Sequence, residues 1–488
     1  MTAGLAMSSR VPPPFPADTS LELSAREMER LVRLATDRIV DHVASLPAQP
    51  AADTDGAEAL ARELIERDPP ETGAPAEELL DLLFTRAIPK SFNTASPGYL
   101  AYIPGGGLFP SAVADFVASA TNRYVGVFAA APALAQLETN VVRWFARIAG
   151  FPATAGGFLA SGGSLANFSA LVAARRARLP ENFLSGVLYA SDQTHHCVAK
   201  AAALAGFPAR SVREVPSDEA FRLRLDLLEQ AVAEDRKKGL VPFLVTGNAG
   251  TTNTGAVDDL AALADFCAGE RLWFHVDAAY GGFFLMTGRG RQAMAGLERA
   301  DSVVLDPHKG LFLPYGAGCL LVKDPGTLRR AHASHVDYLP GMQRDPDFVD
   351  FCEISPELSR SFRGLAAWLP IKMHGLGPFR RNLDEKLDLA RWAAEELRRR
   401  PGVEIVAEPQ LSLLAFRVVR PALAPEAVDD LNRRVLAAVN RRGRVHLTGT
   451  VAKGRFVLRI CVLSFRTHAD RIRAALEDLD AALREAVE

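Results

Sequence analysis

Cysteine is scarce in this chain of 488 residues, which contains five. No two of them have the Cys-x-x-Cys spacing of a structural zinc site, and their scattered positions do not suggest a framework of disulfide bonds. Isolated thiols are typical of proteins from a reducing compartment. We therefore expect a cytoplasmic protein without a bound metal, with single cysteines at Cys197, Cys267, Cys319, Cys352 and Cys461.

An excess of charge of one sign is also absent. The 56 Lys and Arg residues nearly balance the 58 Asp and Glu residues, so the net charge is -2 and nothing favours nucleic acid or an anionic membrane as the partner. No apolar run is long enough to cross a bilayer, and the first residues lack the basic-then-apolar order of a signal peptide. These absences leave small-molecule chemistry as the expected function.

The length of the chain predicts roughly two to four domains. A proline-rich beginning predicts a flexible tail. Ser24 and Glu27 then fit a capping box, and apolar residues at helical spacing predict an amphipathic helix over residues 24–45. The predicted division is a tail (1–20), an N-terminal helical segment (21–95), a large domain (96–375) and a small C-terminal α/β domain (376–488).

The middle of the chain alternates short apolar runs with helical patterns. Such runs are typical of strands that are buried on both faces of a mostly parallel sheet, so we expect an α/β fold class. The small domain begins with a long helix over about residues 381–400 and has alternating, antiparallel strand patterns. The predicted strands are Gly186–Ala190, Pro242–Thr246, Leu272–Val276, Ser302–Leu305 and Cys319–Val322, then Val403–Val406, Leu411–Val418 and Phe456–Val462.

Four polar stretches lie where parallel strands are expected to end. Ligands of open α/β sheets bind beyond the carboxyl ends of the strands, so we expect these stretches to form one site. They are Ser161–Asn167, Ser191–His196, His275–Gly282 and Asp306–Gly310.

Each stretch also has a simpler interpretation. Ser161–Ser164 is either an ordinary helix cap or an anion site at a helix start. Asp277, at the end of a buried strand, needs a cation, which is either an arginine or the protonated ring nitrogen of a ligand. His195 and His196 are metal ligands, structural residues or a stacking group, although neighbouring residues rarely converge on one metal ion.

Lys309 follows a strand and precedes more apolar residues, in the stretch DPHKGLFLPYGAG. A lone lysine in a loop is usually exposed and has no special role. An anion site, a flat stacking group, a buried carboxylate and a lysine together match the phosphate, the ring face, the ring nitrogen and the aldehyde of pyridoxal phosphate (PLP). We therefore expect PLP as the cofactor.

The stretches SGGSLAN, SDQTHH, GTTNTGAVDD, HVDAAYGG and DPHKG resemble, in order and spacing, the group II PLP-dependent amino-acid decarboxylases. That family includes aromatic-amino-acid and glutamate decarboxylases, and the resemblance extends from about Ser96 to Arg459. It implies the PLP-dependent transferase fold (fold type I), with a large, mostly parallel, seven-stranded sheet. It also implies a homodimer in which the N-terminal helices pack against the partner and the active sites lie near the interface.

The resemblance assigns roles to individual residues. Lys309 binds the cofactor aldehyde, Asp277 pairs with the ring nitrogen and His195 stacks on the ring, and these are the expected catalytic residues. Further cofactor contacts are implied for Gly163 and Ser164 at the phosphate, and for Asn248, Ala279 and His308 around the ring and the lysine.

Three further residues match family positions near the substrate. Tyr102 matches a tyrosine of the substrate pocket, and Arg459 matches an arginine near the site. Phe351 falls, by an ungapped count, where relatives carry a loop tyrosine that protonates the α-carbon. Phenylalanine has no hydroxyl group, so Tyr338 and His195 are alternative proton donors.

The expected reaction is decarboxylation of an L-amino acid, aromatic or otherwise apolar, to the amine and carbon dioxide. Phe351 supports an alternative, because related aldehyde synthases have phenylalanine there and form an aldehyde with oxygen. Two other readings stay open, namely another lyase of the same fold and a catalytically inactive cofactor-binding protein.

Overall fold

The computed structural model describes residues 21–333, 342–345 and 347–485. The predicted tail over residues 1–20 and Tyr338 lie outside this part. The chain divides into two compact units. One contains the described residues up to Ala48 together with Thr54–Ser91, and the other contains Gln49–Asp53 and the chain from Phe92 onward.

The first unit is helical. Ser24 caps its first helix with the predicted capping box, in which Glu27 donates its amide to the Ser24 side chain and returns a carboxylate to the Ser24 amide. No residue of this helix is buried, although Met28, Leu31 and Val32 are apolar. The helices are α1 (Ala25–Ser45), α2 (Ala57–Glu63) and α3 (Ala76–Leu82), and a π-helical turn, Leu83–Ala87, continues α3.

The second unit contains two sheets. Among the described residues, seven strands form the large sheet in the order β1-β7-β6-β5-β4-β2-β3, and only β7 runs against the others. The strands are β1 (Gly156–Ala160), β2 (Gly186–Ser191), β3 (Val212–Val215), β4 (Val241–Asn248), β5 (Trp273–Asp277), β6 (Ser302–Leu305) and β7 (Gly318–Val322).

Helices cover both faces of the large sheet, as the nearly continuous apolar strands predict. β2, β5 and β6 are buried along their whole length. The helices are α4 (Phe109–Thr121), α5 (Pro132–Ile148), α6 (Gly163–Arg178), α7 (Cys197–Leu204), α8 (Leu225–Lys237), α9 (Leu260–Glu270), α10 (Gly288–Ala293), α11 (Pro307–Gly310), α12 (Gly326–His332), α13 (Phe351–Ile354) and α14 (Gly364–His374).

The smaller sheet is antiparallel and has the strand order β10-β11-β9-β8. Its helices bury apolar faces against it, and Leu397, Val435 and Leu479 are almost fully buried in the shared core. The elements are α15 (Leu376–Arg398), β8 (Val403–Ala407), β9 (Leu413–Val418), α16 (Pro425–Arg441), β10 (Thr448–Ala452), β11 (Arg455–Cys461) and α17 (Ala469–Glu485).

The predicted α/β class, with a large mostly parallel sheet and a second small sheet, is confirmed. The boundary predicted between residues 375 and 376 stays a prediction, since both sheets belong to one compact unit. α15 begins at Leu376, earlier than residue 381, because the proline at position 378 lies in the first turn, where no intrahelical amide hydrogen bond is lost. No helix in the described part of the chain combines the length and the apolar character of a membrane span.

Candidate active site

A cavity of about 310 Å³ lies at the carboxyl edge of the large sheet. β1 is parallel to β6 because each is antiparallel to β7, so the ends of β1, β2, β4, β5 and β6 share this edge. All four predicted polar stretches contribute to the lining. The lining residues are Ser161, Gly162, Gly163, Ser164, Leu165, Asn167, His195, Cys197, Asn248, Gly250, Thr251, Thr252, Asp277, Ala279, Tyr280, Asp306, His308 and Lys309.

Lys309 lies in the short helix α11 and pairs with Asp306 at its start. The Lys309 Nζ is 2.8 Å from the Asp306 Oδ2. Burial alone would lower the pKa of Lys309, but the charge and the hydrogen bond of Asp306, with a smaller contribution from Asp277, raise that pKa above its usual value. Lys309 is thus an ammonium ion until a ligand competes for its nitrogen.

Asp306 is buried and has unused hydrogen-bonding capacity. Its Oδ1 has no hydrogen-bond partner among the residues that the structure describes. His308 is held close by, with its Nδ1 2.5 Å from the carbonyl oxygen of Ala317 and its Nε2 3.7 Å from the Asp306 Oδ2. A buried, unpartnered carboxylate oxygen is costly, which indicates that this end of the cavity is built to receive a polar group.

The start of α6 forms the neighbouring part of the lining, next to Asp306. A Cβ on Gly163 would lie 2.9 Å from the Asp306 Oδ2, so only glycine lets the helix start approach so closely. First-turn amides have no carbonyl partner within their helix, and the helix dipole favours an anion there. With the Ser164 side chain in the same lining, this helix start has the donors that a phosphate group requires.

Asp277 ends β5 and is almost fully buried at the cavity wall. Its Oδ1 accepts a hydrogen bond from the Ala279 amide at 3.1 Å, and its Oδ2 accepts one from the Asn167 Nδ2 at 3.1 Å. None of these partners is a cation, so the arginine considered as the simple partner is not among its hydrogen bonds. The carboxylate is therefore available to a cationic ligand group.

His195 lines the cavity, whereas His196 is exposed beside it. The Nδ1 of His195 accepts the Cys197 amide at 3.3 Å, which leaves the hydrogen of the neutral ring on Nε2. Burial lowers the pKa of His195 despite the opposing charge of Asp277. Within the described residues, no group of three or more metal-ligating side chains comes together.

Asn248 ends β4 and is fixed by a buried carboxylate. Its amide nitrogen and its Nδ2 both donate to the Asp258 Oδ2, at 2.7 and 2.9 Å. Burial raises the pKa of Asp258 to about 6, although these bonds and the Leu223 amide oppose the shift. Asn248 is thus held rigidly at the cavity floor.

Three predicted substrate residues are not brought to this cavity. Tyr102 is 53% exposed, and its carbonyl oxygen accepts a hydrogen bond from Arg459. The Arg459 guanidinium donates four hydrogen bonds inside the protein, to that oxygen, to the Thr252 and Asn253 carbonyl oxygens and to the Thr448 hydroxyl. It therefore shapes the loop that contains Thr252.

Phe351 begins α13 and is fully buried in a core cluster, with the Arg360 guanidinium 4.8 Å from its ring centroid. It does not line the cavity of its own chain. Phe128 stacks on Phe348, with ring centroids 4.3 Å apart. Gly105 packs so tightly against the His308 carbonyl oxygen that a Cβ would lie 1.9 Å from it.

Several lining residues were not assigned a role from the sequence. Asn167 could have been found, because it lies one helical turn after Gly163 and so faces the same side of α6. Cys197 and Thr251 gave no comparable signal. Their positions depend on how α7 and the loop after β4 turn back to the cavity.

We expect the folded protein to become less stable in acid because of His275. This residue lies two positions before Asp277, on the same face of β5. Burial lowers its pKa from 6.5 to about 4. Between these values the unfolded chain binds a proton that the folded chain does not, so the free energy of unfolding falls as the pH falls. We expect wild type to lose about 2 kcal/mol more than His275→Gln between pH 7 and pH 5, measured by urea unfolding. Equal losses in the two proteins would contradict this expectation.

The residues present fit PLP. A lysine amine, an acid with no cationic hydrogen-bond partner in the described chain, a neutral histidine and a helix start that favours anions line one cavity. The partnerless Asp306 oxygen and the close approach at Gly163 are further features of a site shaped around a polar ligand.

Comparisons with known proteins agree with this fit. Residues 60–419 match the pyridoxal-dependent decarboxylase conserved domain. An aromatic-L-amino-acid decarboxylase from Bacillus atrophaeus is 35% identical over 96% of this chain and 97% of its own length. A phenylacetaldehyde synthase from Arabidopsis thaliana is 30% identical over 84% of this chain and 85% of its own length.

A solved structure extends the likeness to the whole architecture. The crystal structure of Oryza sativa TDC with PLP and tryptamine has a TM-score of 0.91 and 28% sequence identity, and the match covers 96% of this chain and 100% of that chain. This likeness confirms the predicted fold class.

Proposed function

The chain belongs to the family of pyridoxal-dependent decarboxylases and is a PLP-dependent amino-acid decarboxylase, and we propose that its substrate is an aromatic L-amino acid, which it converts to the amine and carbon dioxide. The single observation that carries the site assignment is the presence of Lys309, Asp277 and the α6 start in one cavity. The aromatic preference is supported by the names of relatives, which include aromatic-L-amino-acid, tryptophan and tyrosine decarboxylases.

When bound, PLP supplies the electron sink that accepts the electron pair left on the α-carbon as carbon dioxide departs. The Lys309 amine would bind its aldehyde, and the Asp277 carboxylate would hold a proton at its ring nitrogen. Gly163 and Ser164 would hold its phosphate at the start of α6.

Protons are handled by groups that already lie in the lining. Asp306 can receive the Lys309 ammonium when the substrate amine takes the place of Lys309, because the two groups are 2.8 Å apart. His195 is neutral at rest and lines the cavity, so it would have to take up a proton first and could then, as an imidazolium, deliver that proton to the α-carbon and return to the neutral ring.

Substrate range tests this proposal directly. The purified protein with added PLP is incubated with each of the common L-amino acids, and carbon dioxide release is measured. We expect release with Trp, Tyr or Phe. Release confined to acidic or aliphatic amino acids, or no release from any of them, would contradict the aromatic assignment.

Aldehyde formation is the second candidate, supported by the phenylacetaldehyde synthase relative. That reaction consumes one oxygen and one water and releases aldehyde, carbon dioxide, ammonia and hydrogen peroxide. Product analysis with an oxygen electrode separates the two reactions. We expect amine without oxygen uptake, and aldehyde with equimolar oxygen uptake would replace our first proposal.

The two neighbouring histidines give a matched pair of variants. We expect His195→Ala to lower kcat by roughly 100-fold, because His195 lines the cavity and is a proton carrier. His196→Ala should stay within about twofold of wild type, because His196 is exposed and lies outside the lining. Carbon dioxide release at saturating substrate is the measurement, and equal losses in both variants would contradict the assignment.

We also propose that the protein is a homodimer. α4 presents an exposed apolar stripe with no partner in the described chain, formed by Phe109, Val113, Phe116 and Val117. The start of α4 lies near the segment that carries Lys309, because the Leu108 amide before α4 donates to the carbonyl oxygen of Phe312, just after α11. Contiguous apolar surface of this kind usually marks an interface, and a second copy would cover the stripe.

Light scattering after gel filtration tests the dimer. Wild type should have twice the 52.6 kDa chain mass, and Phe116→Asp should shift it toward the monomer. Ser119→Asp, at an exposed position of α4 outside the stripe, is the control. A monomeric wild type would contradict the proposal. A cytoplasmic location is proposed as well, supported by five free thiols.

A further inference from the structure

Behind Asp277, a row of buried polar side chains leads away from the cavity into the large sheet. Asn167 donates to Asp277, and its Oδ1 is 2.7 Å from the His275 Nε2. The His275 Nδ1 is 2.8 Å from the Ser302 Oγ, which also accepts the Trp273 indole N–H at 2.8 Å. All these side chains are almost fully buried, so water cannot substitute for a missing partner.

The sheet explains why these residues line up. Trp273, His275 and Asp277 alternate along β5 and therefore share one face of the strand. Ser302, the first residue of β6, is the register partner of His275. Asn167 reaches the same face from α6, which covers it. The row thus connects buried side chains of β5 and β6 to the Asp277 carboxylate at the cavity.

The hydrogen bonds of the row have only one consistent direction. An ionised carboxylate only accepts, so Asn167 must point its Nδ2 at Asp277 and its Oδ1 at His275. The His275 Nε2 must then carry the hydrogen. Burial lowers the pKa of His275, so the ring is neutral near pH 7 and its Nδ1 accepts.

The far end of the row requires the same direction. The Trp273 indole can only donate, and it uses one lone pair of the Ser302 oxygen. The Ser302 hydroxyl is then free to donate to the His275 Nδ1. The donor-only indole and the acceptor-only carboxylate therefore both orient the groups between them, and aligned hydrogen bonds of this kind strengthen one another.

We propose that Asn167, His275 and Ser302 are positioning residues that hold the Asp277 carboxylate in the orientation in which it meets the cofactor ring nitrogen. The row fixes the Oδ2 of Asp277, while the Ala279 amide fixes its Oδ1. The identity of the group that Asp277 meets rests on the proposed function, but the row itself requires no cofactor. Supporting partners of this kind typically change ligand affinity about 10-fold or more when removed.

Nitrogen-15 NMR of the cofactor-free protein tests the row by itself. The ten histidines are labelled, and the His275 signals are assigned by their loss in His275→Gln. We expect a neutral ring near pH 7 with its hydrogen on Nε2. A hydrogen on Nδ1, or a ring that exchanges between both forms, would overturn the proposal whether or not the protein binds PLP.

Ser302→Ala tests whether the row acts on the cofactor site. Ser302 touches neither Asp277 nor the cavity, so an effect of this variant on cofactor binding must pass through His275 and Asn167. We expect the Kd for PLP, measured by absorbance titration, to rise about 10-fold, together with a changed pH titration of the bound cofactor's absorbance.

Thr246→Val is the matched control. Thr246 is fully buried on β4 beside His275 in the strand register, and its hydroxyl has no hydrogen-bond partner within the described part of the chain. The variant removes a buried hydroxyl from the same sheet and leaves the row intact. Its Kd for PLP and the pH titration of its bound cofactor should therefore equal those of wild type. Wild-type values in Ser302→Ala, or the same change in both variants, would overturn the proposal. Failure of wild type to bind PLP would instead count against the proposed function.

Discussion

Replacing Lys309 with alanine is expected to lower decarboxylation by roughly 1,000-fold or more. Lys309 is the amine in the cavity that pairs with Asp306, and no other lysine is among the lining residues of the described chain. The variant has no nitrogen at this place to bind the cofactor aldehyde. We expect the purified variant to lose the visible absorbance of the wild type and to retain at most a trace of carbon dioxide release.

Lys200→Ala is the control for this variant. Lys200 is exposed on α7, close to the site but outside its lining, and its replacement should leave both the absorbance and kcat unchanged. Circular dichroism should show that both variants are folded. A Lys309→Ala protein with more than about a tenth of the wild-type activity would refute the covalent role.

Replacing Asp277 with asparagine is expected to have the second largest effect, a loss of kcat of roughly 100-fold or more. Asparagine keeps the size of the side chain but removes the negative charge that favours a proton on the ring nitrogen. Because that charge acts on the electron sink, we expect kcat to fall much more than the KM for the amino acid changes. Steady-state rates of carbon dioxide release over a range of substrate concentrations measure both constants.

Asp265→Asn provides the comparison for the loss of an aspartate charge. Asp265 is exposed on α9 and pairs with Arg299 at the surface, where an ion pair contributes little. Its kinetic constants should match those of wild type. Asp277→Asn would count against the account if it kept more than about half of the wild-type kcat, or if only its KM changed.

The large sheet was predictable where the strands are continuously apolar. β6 begins and ends at the predicted residues, and β2 and β5 differ from the prediction by single residues at their ends. β1 was missed because its sequence begins with two glycines, which weaken a strand pattern. Gly157 is required there, since a Cβ would lie 1.9 Å from the Leu320 carbonyl oxygen on β7, but that contact depends on a partner more than 150 residues away in the chain.

The cofactor side of the site was predictable for a related reason. Lys309, Asp277, His195 and Gly163 all follow strands that end at the same edge of the sheet, so strand ends in the sequence become neighbours in space. Their catalytic roles stay predictions until the variants are measured.

The substrate side was not predictable in the same way. Tyr102 was placed by its match to a family tyrosine and Phe351 by counting along the chain, and neither a match nor a count says which way a side chain points. Tyr102 is exposed, while Phe351 is buried in the core and does not line the cavity of its own chain.

The covalent attachment at Lys309 is the central claim, and borohydride reduction followed by peptide mapping tests it most directly. Reduction makes the bond between the lysine amine and the cofactor aldehyde permanent, so mass spectrometry of the digested protein can locate it. The account predicts a pyridoxyl phosphate group on the peptide that contains Lys309 and on no other. A label on a different lysine, or an unlabelled Lys309 in protein that is active with PLP, would contradict it.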